Sequence, residues 1–156
     1  MNKMQSVLVS AALATGMAAP ASAGVNDPEV IIYRFPGVLD DGGGTAAGIA
    51  TLFICTNFSG ATETIRFVTR RTTTQIASNE SFQLAHLVTI FAHTHITGSF
   101  PPDAPLNTGS VKGTTAIAAT STNIICTAMV LDAASPKPDG IALHGIRFNP
   151  VPGSQE

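Results

Sequence analysis

Two apolar segments, each with one of the two cysteines of the chain, constrain the fold more than any other feature. Residues 46–58 contain Cys55, and residues 123–132 contain Cys126. In both segments apolar residues occupy both sets of alternating positions, which is the pattern of a β-strand buried on both faces. The rest of the chain must therefore cover these two strands on both sides.

The first 23 residues have the layout of a bacterial signal peptide. Lys3 precedes an apolar segment at residues 7–19, and Ala21-Ser22-Ala23 is a small-x-small site after which we expect cleavage. The apolar segment is too short to span the roughly 30 Å hydrocarbon core of a membrane. We therefore expect residues 24–156 to form a single exported domain, periplasmic or extracellular, with no membrane span.

The charge of the chain argues against one class of partner. Without Lys3, the exported chain has 7 Lys and Arg residues against 10 Asp and Glu residues, a formal net charge of −3. Nucleic-acid binding depends on basic residues that neutralise phosphates, so we expect no nucleic-acid partner. Because 44% of the residues are hydrophobic and only 12% are charged, the chain can bury a core but has few ionisable groups for an active site.

The two cysteines are expected to form a disulfide. An exported chain meets an oxidising compartment, and Cys55 and Cys126 allow only one pairing. Closing a loop of 71 residues would stabilise the fold by roughly 4 kcal/mol in the chain-entropy model. The alternative is a pair of buried free thiols.

Apolar alternation and turn signals predict seven or eight short strands after the signal peptide. The predicted strands are residues 30–35, 46–58, 62–71, 82–84, 87–96, 114–120, 124–132 and 141–148. Short strands with turns about every ten residues are typical of an antiparallel β-sandwich. A helix also fits residues 82–94, but their β-branched content favours a strand.

The turn signals also predict how the strands connect. Pro36-Gly37 is expected to end the first strand, and Asn79-Glu80-Ser81 is expected to form a turn. Residues 46–58 are expected to form a hairpin with the strand that follows them. Residues 114–120 are likewise expected to pair with the strand that begins at Ile124.

Three strand phrases resemble a class of short exported bacterial proteins that is itself uncharacterised. They are FICTN at residues 53–57, IAATS at residues 117–121 and ICTAMVLD at residues 125–132. The resemblance implies an immunoglobulin-like β-sandwich in which the two Cys-Thr strands are neighbours joined by the disulfide. It implies no activity, and the chain has no tryptophan to pack on the disulfide as antibody domains do.

His93 and His95 are the clearest candidate metal ligands. On a strand, positions i and i+2 face the same side, so the two imidazoles would lie close enough to share zinc or copper. Zinc requires at least a third protein ligand, which His144 or His86 would have to supply. The alternative is that His93 and His95 are solvated side chains on an outer sheet face.

No catalytic constellation is visible in the sequence. The chain has no G-x-S-x-G nucleophile elbow, and most of its carboxylates fall in predicted turns. Asp40 and Asp41 precede three glycines, but two carboxylates are too few for a calcium site, which favours a solvated loop. We therefore expect neither catalysis nor a cofactor.

Several arginines are candidates for an anion-binding patch. Arg66 and Arg70 share a face of one predicted strand, and Arg34, Arg71 and Arg147 lie elsewhere in the chain. The alternative is that they are solvated strand positions that protect a sheet edge from aggregation.

The sequence therefore predicts an exported, soluble β-sandwich that acts as a structural or interaction module toward a protein or surface partner. One alternative is a periplasmic transition-metal-binding protein that uses His93 and His95. A second alternative is a fimbrial-type assembly subunit, suggested by the size, the export and the single disulfide. Against this second alternative, the chain ends in Pro150-Val151-Pro152-Gly153 rather than in an alternating strand.

Overall fold

The computed structural model describes residues 29–102, 104–137 and 139–148. The predicted signal peptide and the tail at residues 150–156 lie outside these ranges. Within them the chain is all β, without a helix. None of the described residues therefore belongs to a helix long and apolar enough to cross a membrane.

Ten strands follow one another in the described ranges. They are β1 (Val30–Asp40), β2 (Ile49–Asn57), β3 (Glu63–Arg71), β4 (Ile76–Leu84), β5 (Thr89–His93), β6 (Ala104–Pro105), β7 (Val111–Ala119), β8 (Ile124–Asp132), β9 (Gly140–Leu143) and β10 (Ile146–Arg147). The first sheet has the order β10-β1-β7-β3-β4, and the second has the order β6-β5-β2-β8-β9. Only the short β5–β6 pair is parallel among the described strand pairs. The predicted β-sandwich is confirmed.

The core lies between the two sheets and is built around phenylalanine rings. Phe35 and Phe67 from the first sheet and Phe53 from the second are almost completely buried. Their ring centroids are 5.7 Å apart for Phe35 and Phe53 and 5.8 Å apart for Phe53 and Phe67. Buried aromatic pairs at this distance add to the hydrophobic free energy of the core.

The expected burial on both faces is found for β2 but not for β8, where Ile125 is 49% exposed and Thr127 is also exposed on the outer side of the sheet. Phe53 and Cys55 face the main core, while Ala50 and Leu52 of β2 belong to a second, smaller cluster. This second cluster lies on the outer side of its sheet, where Phe100 packs on it. The segment between β5 and β6 therefore covers part of the outer face.

The disulfide between Cys55 and Cys126 is confirmed. The two residues are directly opposite each other on β2 and β8, with Cα atoms 4.1 Å apart. The two cysteine strands are therefore neighbours in one sheet. In antibody domains the conserved disulfide joins the two sheets instead, and the immunoglobulin-like arrangement of the strands stays a prediction.

The two predicted strand pairings are wrong. β2 and β3 lie in different sheets, and so do β7 and β8. A connection of a few residues can span either the roughly 4.8 Å between paired strands or the roughly 10 Å between packed sheets. Turn residues such as Ser59-Gly60 are compatible with both connections, so alternation identified the strands but not their sheets.

Two of the predicted breaks between strands are not found in the structure. β1 continues through Pro36 and Gly37, where its pairing with β7 shifts by a residue and Gly37 has a φ of 79°. A bulge of this kind accommodates a proline inside a strand. β4 runs straight through residues 79–81, because pairing with β3 keeps this polar segment extended.

The predicted last strand, residues 141–148, is two short strands. β9 pairs with β8 in the second sheet, and β10 pairs with β1 in the first sheet. Gly145 lies between them, against the ring of Phe35, where a Cβ atom would be 2.2 Å from a ring carbon. Only glycine fits this close crossing, so the segment closes one side of the sandwich.

Candidate interaction site

One end of the core face of the second sheet is left uncovered. Ile141 is paired with Val130, and Ile49 is paired with Asp132. Strand alternation places Ile49, Val130 and Ile141 on the same side of the sheet as the buried Phe53. Even so, Ile49 is 44% exposed and Ile141 is 76% exposed. We call these three residues (Ile49, Val130 and Ile141) the apolar shelf.

Two shallow concavities meet at Ile49. The first has a volume of about 380 Å³ and is lined by the apolar shelf together with Asp132, Asp139 and Gly140. The second has a volume of about 360 Å³ and is lined by Leu39, Asp40, Asp41, Ile49 and Lys112. The site is therefore an apolar floor with carboxylates along both concavities.

The strand beside the shelf offers a free edge. β9 is the terminal strand of its sheet and pairs only with β8 in the described part of the chain. Gly140, Ile141 and Ala142 are exposed, and Leu143 is half-buried against the core. The outward N–H and C=O groups of such an edge are available for pairing with another chain.

Asp40, at the end of β1, anchors the loop on the other side of the shelf. It is only 2% exposed, and its Oδ1 accepts a hydrogen bond of 2.7 Å from the amide of Gly42. Its Oδ2 lies 2.8 Å from Nδ1 of His95 and accepts a longer bond of 3.4 Å from the hydroxyl of Thr108. Buried carboxylates require such partners, because an unpaired buried charge is costly.

His95 joins Asp40 to the loop at residues 41–48. Its second ring nitrogen, Nε2, lies 3.0 Å from the carbonyl oxygen of Ala47. Each ring nitrogen of His95 therefore lies within hydrogen-bond distance of one oxygen, on Asp40 of β1 and on Ala47 of the loop.

The loop wraps around the carboxylate of Asp41. The amide of Gly43 donates to Oδ1 of Asp41 over 3.0 Å. Hydrogen bonds from the backbone of Gly43 and Ile49 lower the pKa of Asp41, and the charge of His95 lowers it further. Gly48 has a φ of 77°, and a Cβ atom there would lie 2.4 Å from both carboxylate oxygens. The loop conformation therefore depends on glycine at position 48.

Thr51 connects the two sheets beside the shelf. Its hydroxyl donates to the carbonyl oxygen of Leu39 over 2.8 Å and accepts from the amide of Leu39 over 2.9 Å. Its own amide donates to the hydroxyl of Thr94 over 2.9 Å. Both threonines are fully buried. These bonds hold the end of β1 against β2 and fix Leu39 next to the shelf.

The predicted histidine pair is not on one strand. β5 ends at His93, so the i and i+2 relation does not extend to His95, whose ring turns to Asp40. His93 is fully buried rather than solvated, with its ring centroid 6.2 Å from that of Phe100. The prediction that both imidazoles share an open outer face is wrong, because the segment after β5 folds over that face.

The other two histidines lie elsewhere. His144 is exposed between β9 and β10. His86 accepts a hydrogen bond of 3.1 Å from the amide of Gly60. No group of three or more His, Cys, Asp or Glu side chains placed to hold a metal ion is found among the described residues. Metal binding by His93, His95 and His144 stays a prediction.

Three of the five arginines lie on one face of the sandwich. Arg34, Arg66 and Arg70 share the outer face of the first sheet, since Arg34 and Val68 both pair with Ala116 of β7. Arg66 forms an ion pair with Glu29, and Arg34 lies over the ring of Phe148. Arg71 instead donates to backbone carbonyls of the loop before β7.

Little in the sequence indicates this site. Asp40 is predicted to be part of a solvated loop, but the distant His95 buries and pairs it. Ile49 and Ile141 have the same alternation as covered core residues, and their exposure depends on where the opposite sheet stops. The single sign was the pair of carboxylates, Asp40 and Asp41, beside three glycines.

The fold and the site define the class of this protein as an all-β sandwich with an exposed apolar shelf. No family model, no curated protein and no solved structure matches the chain. The function must therefore be argued from the site itself.

Proposed function

We propose that the protein is an exported interaction module that binds a partner protein through the apolar shelf. The observation that carries the proposal is the exposure of Ile49 and Ile141 at core-facing positions. Large apolar side chains grouped in a concave surface are typical of protein interaction sites. Burying one isoleucine completely contributes roughly 1.5–3 kcal/mol.

The surroundings of the shelf support binding. The disulfide joins β2 and β8, which carry Ile49 and Val130. On the other side, Asp40, His95 and Thr51 hold the loop and the end of β1 in place. A surface that is already ordered loses less conformational entropy when a partner binds. Export of the protein rests on the predicted signal peptide, which precedes the described residues.

Site-specific crosslinking tests the proposal. A photoreactive amino acid replaces Ile141 in the full chain, which is expressed with its own export signal in its source bacterium. The matched control replaces Ile76, which is 47% exposed at the start of β4, an edge strand of the other sheet. We expect a discrete adduct from position 141 and none from position 76. Absence of an adduct at position 141, or the same adducts at both positions, would contradict the proposal.

A further inference from the structure

We infer that the partner contributes an extended strand that pairs with the free edge of β9 and places an apolar side chain, flanked by lysine or arginine, over the apolar shelf. This inference rests on the proposed function, because it names the chemistry of the partner at the same site.

The backbone of β9 explains why the partner segment is extended. β9 pairs with β8 through Gly140, Ile141, Ala142 and Leu143, and its other edge has no strand among the described residues. An added strand would lie about 4.8 Å further out. Main-chain hydrogen bonds would supply affinity, as in other cases of strand addition to a sheet edge.

The direction of Ile141 explains why the partner needs an apolar residue. Side chains of directly opposed residues on paired strands point to the same side. A partner residue opposite Ile141 would therefore point toward the core-facing side, where Val130 and Ile49 line the first concavity. An aliphatic side chain there would cover the shelf, while a polar side chain would lose water without gaining a hydrogen bond.

The charges along the groove explain why the flanking residues are basic. Asp132 and Asp139 line the first concavity, and neither forms an ion pair with any described residue. On a strand, residues two positions apart face the same side, so a Lys or Arg next but one to the apolar residue would reach these carboxylates. Complementary charges of this kind select the partner and speed association.

The same charges disfavour a second copy of this chain at the site. Pairing of β9 with β9 of another copy would bring the carboxylates of both copies to one interface. Like charges placed opposite each other at an interface cost free energy. A second copy of this chain is therefore not the occupant that we infer, and the test must distinguish self-association from partner binding.

Capped peptides provide the probe. In TKTITKT, an isoleucine and two lysines share one face of an extended chain; TETITET reverses the charge, and TKTSTKT removes the apolar group. Binding to the oxidised protein is measured from backbone amide chemical shifts at low salt. We expect TKTITKT to bind at least about tenfold more tightly than either of the other peptides, a difference of about 1.4 kcal/mol. The shifts should centre on residues 140–143.

Matched variants connect this binding to the site. Ile141→Ser should weaken TKTITKT binding by about tenfold, whereas Ile76→Ser should leave it unchanged. Asp139→Asn, which keeps the shape of the side chain, should reduce the preference for TKTITKT over TETITET. Both Ser variants are first checked for a native amide spectrum, so that loss of fold is not read as loss of binding.

The remaining outcomes overturn the inference. Equal binding of TKTITKT and TETITET, or shifts centred on β4, would contradict it even if position 141 still forms its crosslink. Concentration-dependent dimerisation through β9 without peptide would identify a second copy as the occupant. Loss of the crosslink at position 141 would instead remove the proposed function, so the two failures are distinguishable.

Discussion

At the scale of single residues, the buried carboxylate of Asp40 is the most consequential feature beside the shelf. Its side chain is 1% exposed and its main partner is Nδ1 of His95, 2.8 Å away. Removing one member of a buried pair leaves the other uncompensated, which costs more than the pair itself contributes. His95 and Asp40 therefore behave as a unit.

His95→Ala should lower the free energy of unfolding by about 3 kcal/mol, because the buried carboxyl group of Asp40 loses its closest side-chain partner and keeps only the hydrogen bonds from Gly42 and Thr108. The measurement is urea denaturation of the oxidised protein. The double variant Asp40→Asn with His95→Ala is the control, and it should be more stable than His95→Ala alone. A change below about 0.5 kcal/mol for His95→Ala, typical of an ordinary surface substitution, would contradict this coupling.

The lowered pKa of Asp41 makes the stability of the folded protein depend on pH. This pKa lies below the ordinary value of 3.8, chiefly because the amides of Gly43 and Ile49 stabilise the carboxylate. The folded state therefore favours ionised Asp41. The stability that this preference contributes is present at neutral pH, and it is lost as the pH falls below 3.8 and Asp41 becomes protonated.

The measurement is the urea concentration at the midpoint of unfolding, determined at pH 7 and at pH 3. Asp41→Asn should reduce the difference between the two midpoints relative to the unmodified protein, because the variant has no carboxylate to protonate at this position. An unchanged difference would show that the loop does not stabilise the ionised form.

At the scale of elements, the loop between β1 and β2 determines whether the shelf has a rigid flank. The amide of Gly43 donates to the carboxylate of Asp41, Gly48 packs closely against that carboxylate, and the amide of Ala46 donates to the carbonyl oxygen of Ile96. Gly44 in the same loop has open space around it. The loop therefore contains both a constrained and an unconstrained glycine.

Gly48→Ala should destabilise the protein by roughly 1 kcal/mol or more, because alanine at positive φ is strained and its Cβ would collide with Asp41. Gly44→Ala is the matched control and should be neutral or slightly stabilising. Thermal unfolding of the two variants checks the difference, and equal melting temperatures would contradict the role of Gly48.

The strands show what could be predicted from the sequence and what could not. The bounds of β8, Ile124–Asp132, are those predicted, since nine alternating residues between turn signals define a strand locally. The partner of each strand is a property of the whole chain, so the expected pairing of residues 114–120 with β8 is wrong. Exposure at Ile49 depends on the opposite sheet and has no local signal.

At the scale of the whole molecule, the disulfide holds the second sheet together at its centre. Cys55 and Cys126 are buried and join strands that are 71 residues apart in the chain. The cross-link removes conformational freedom from the unfolded chain, and the stabilisation that it provides grows with the length of the closed loop.

Replacing both cysteines with alanine should lower the free energy of unfolding by roughly 4 kcal/mol. Denaturation of the double variant, compared with the oxidised protein, gives the difference. The backbone amide NMR spectrum of the double variant should still be that of the folded β-sandwich, because β2 and β8 also pair through their backbone. A loss below about 1 kcal/mol would show that the disulfide contributes little.

Crosslinking from Ile49 tests binding at the apolar shelf most directly, because Ile49 lines both concavities. A photoreactive residue at position 49 should give the same adduct as one at position 141, with none from position 76. Different adducts from positions 49 and 141, or no adduct from either, would contradict a single binding surface at this end of the sandwich.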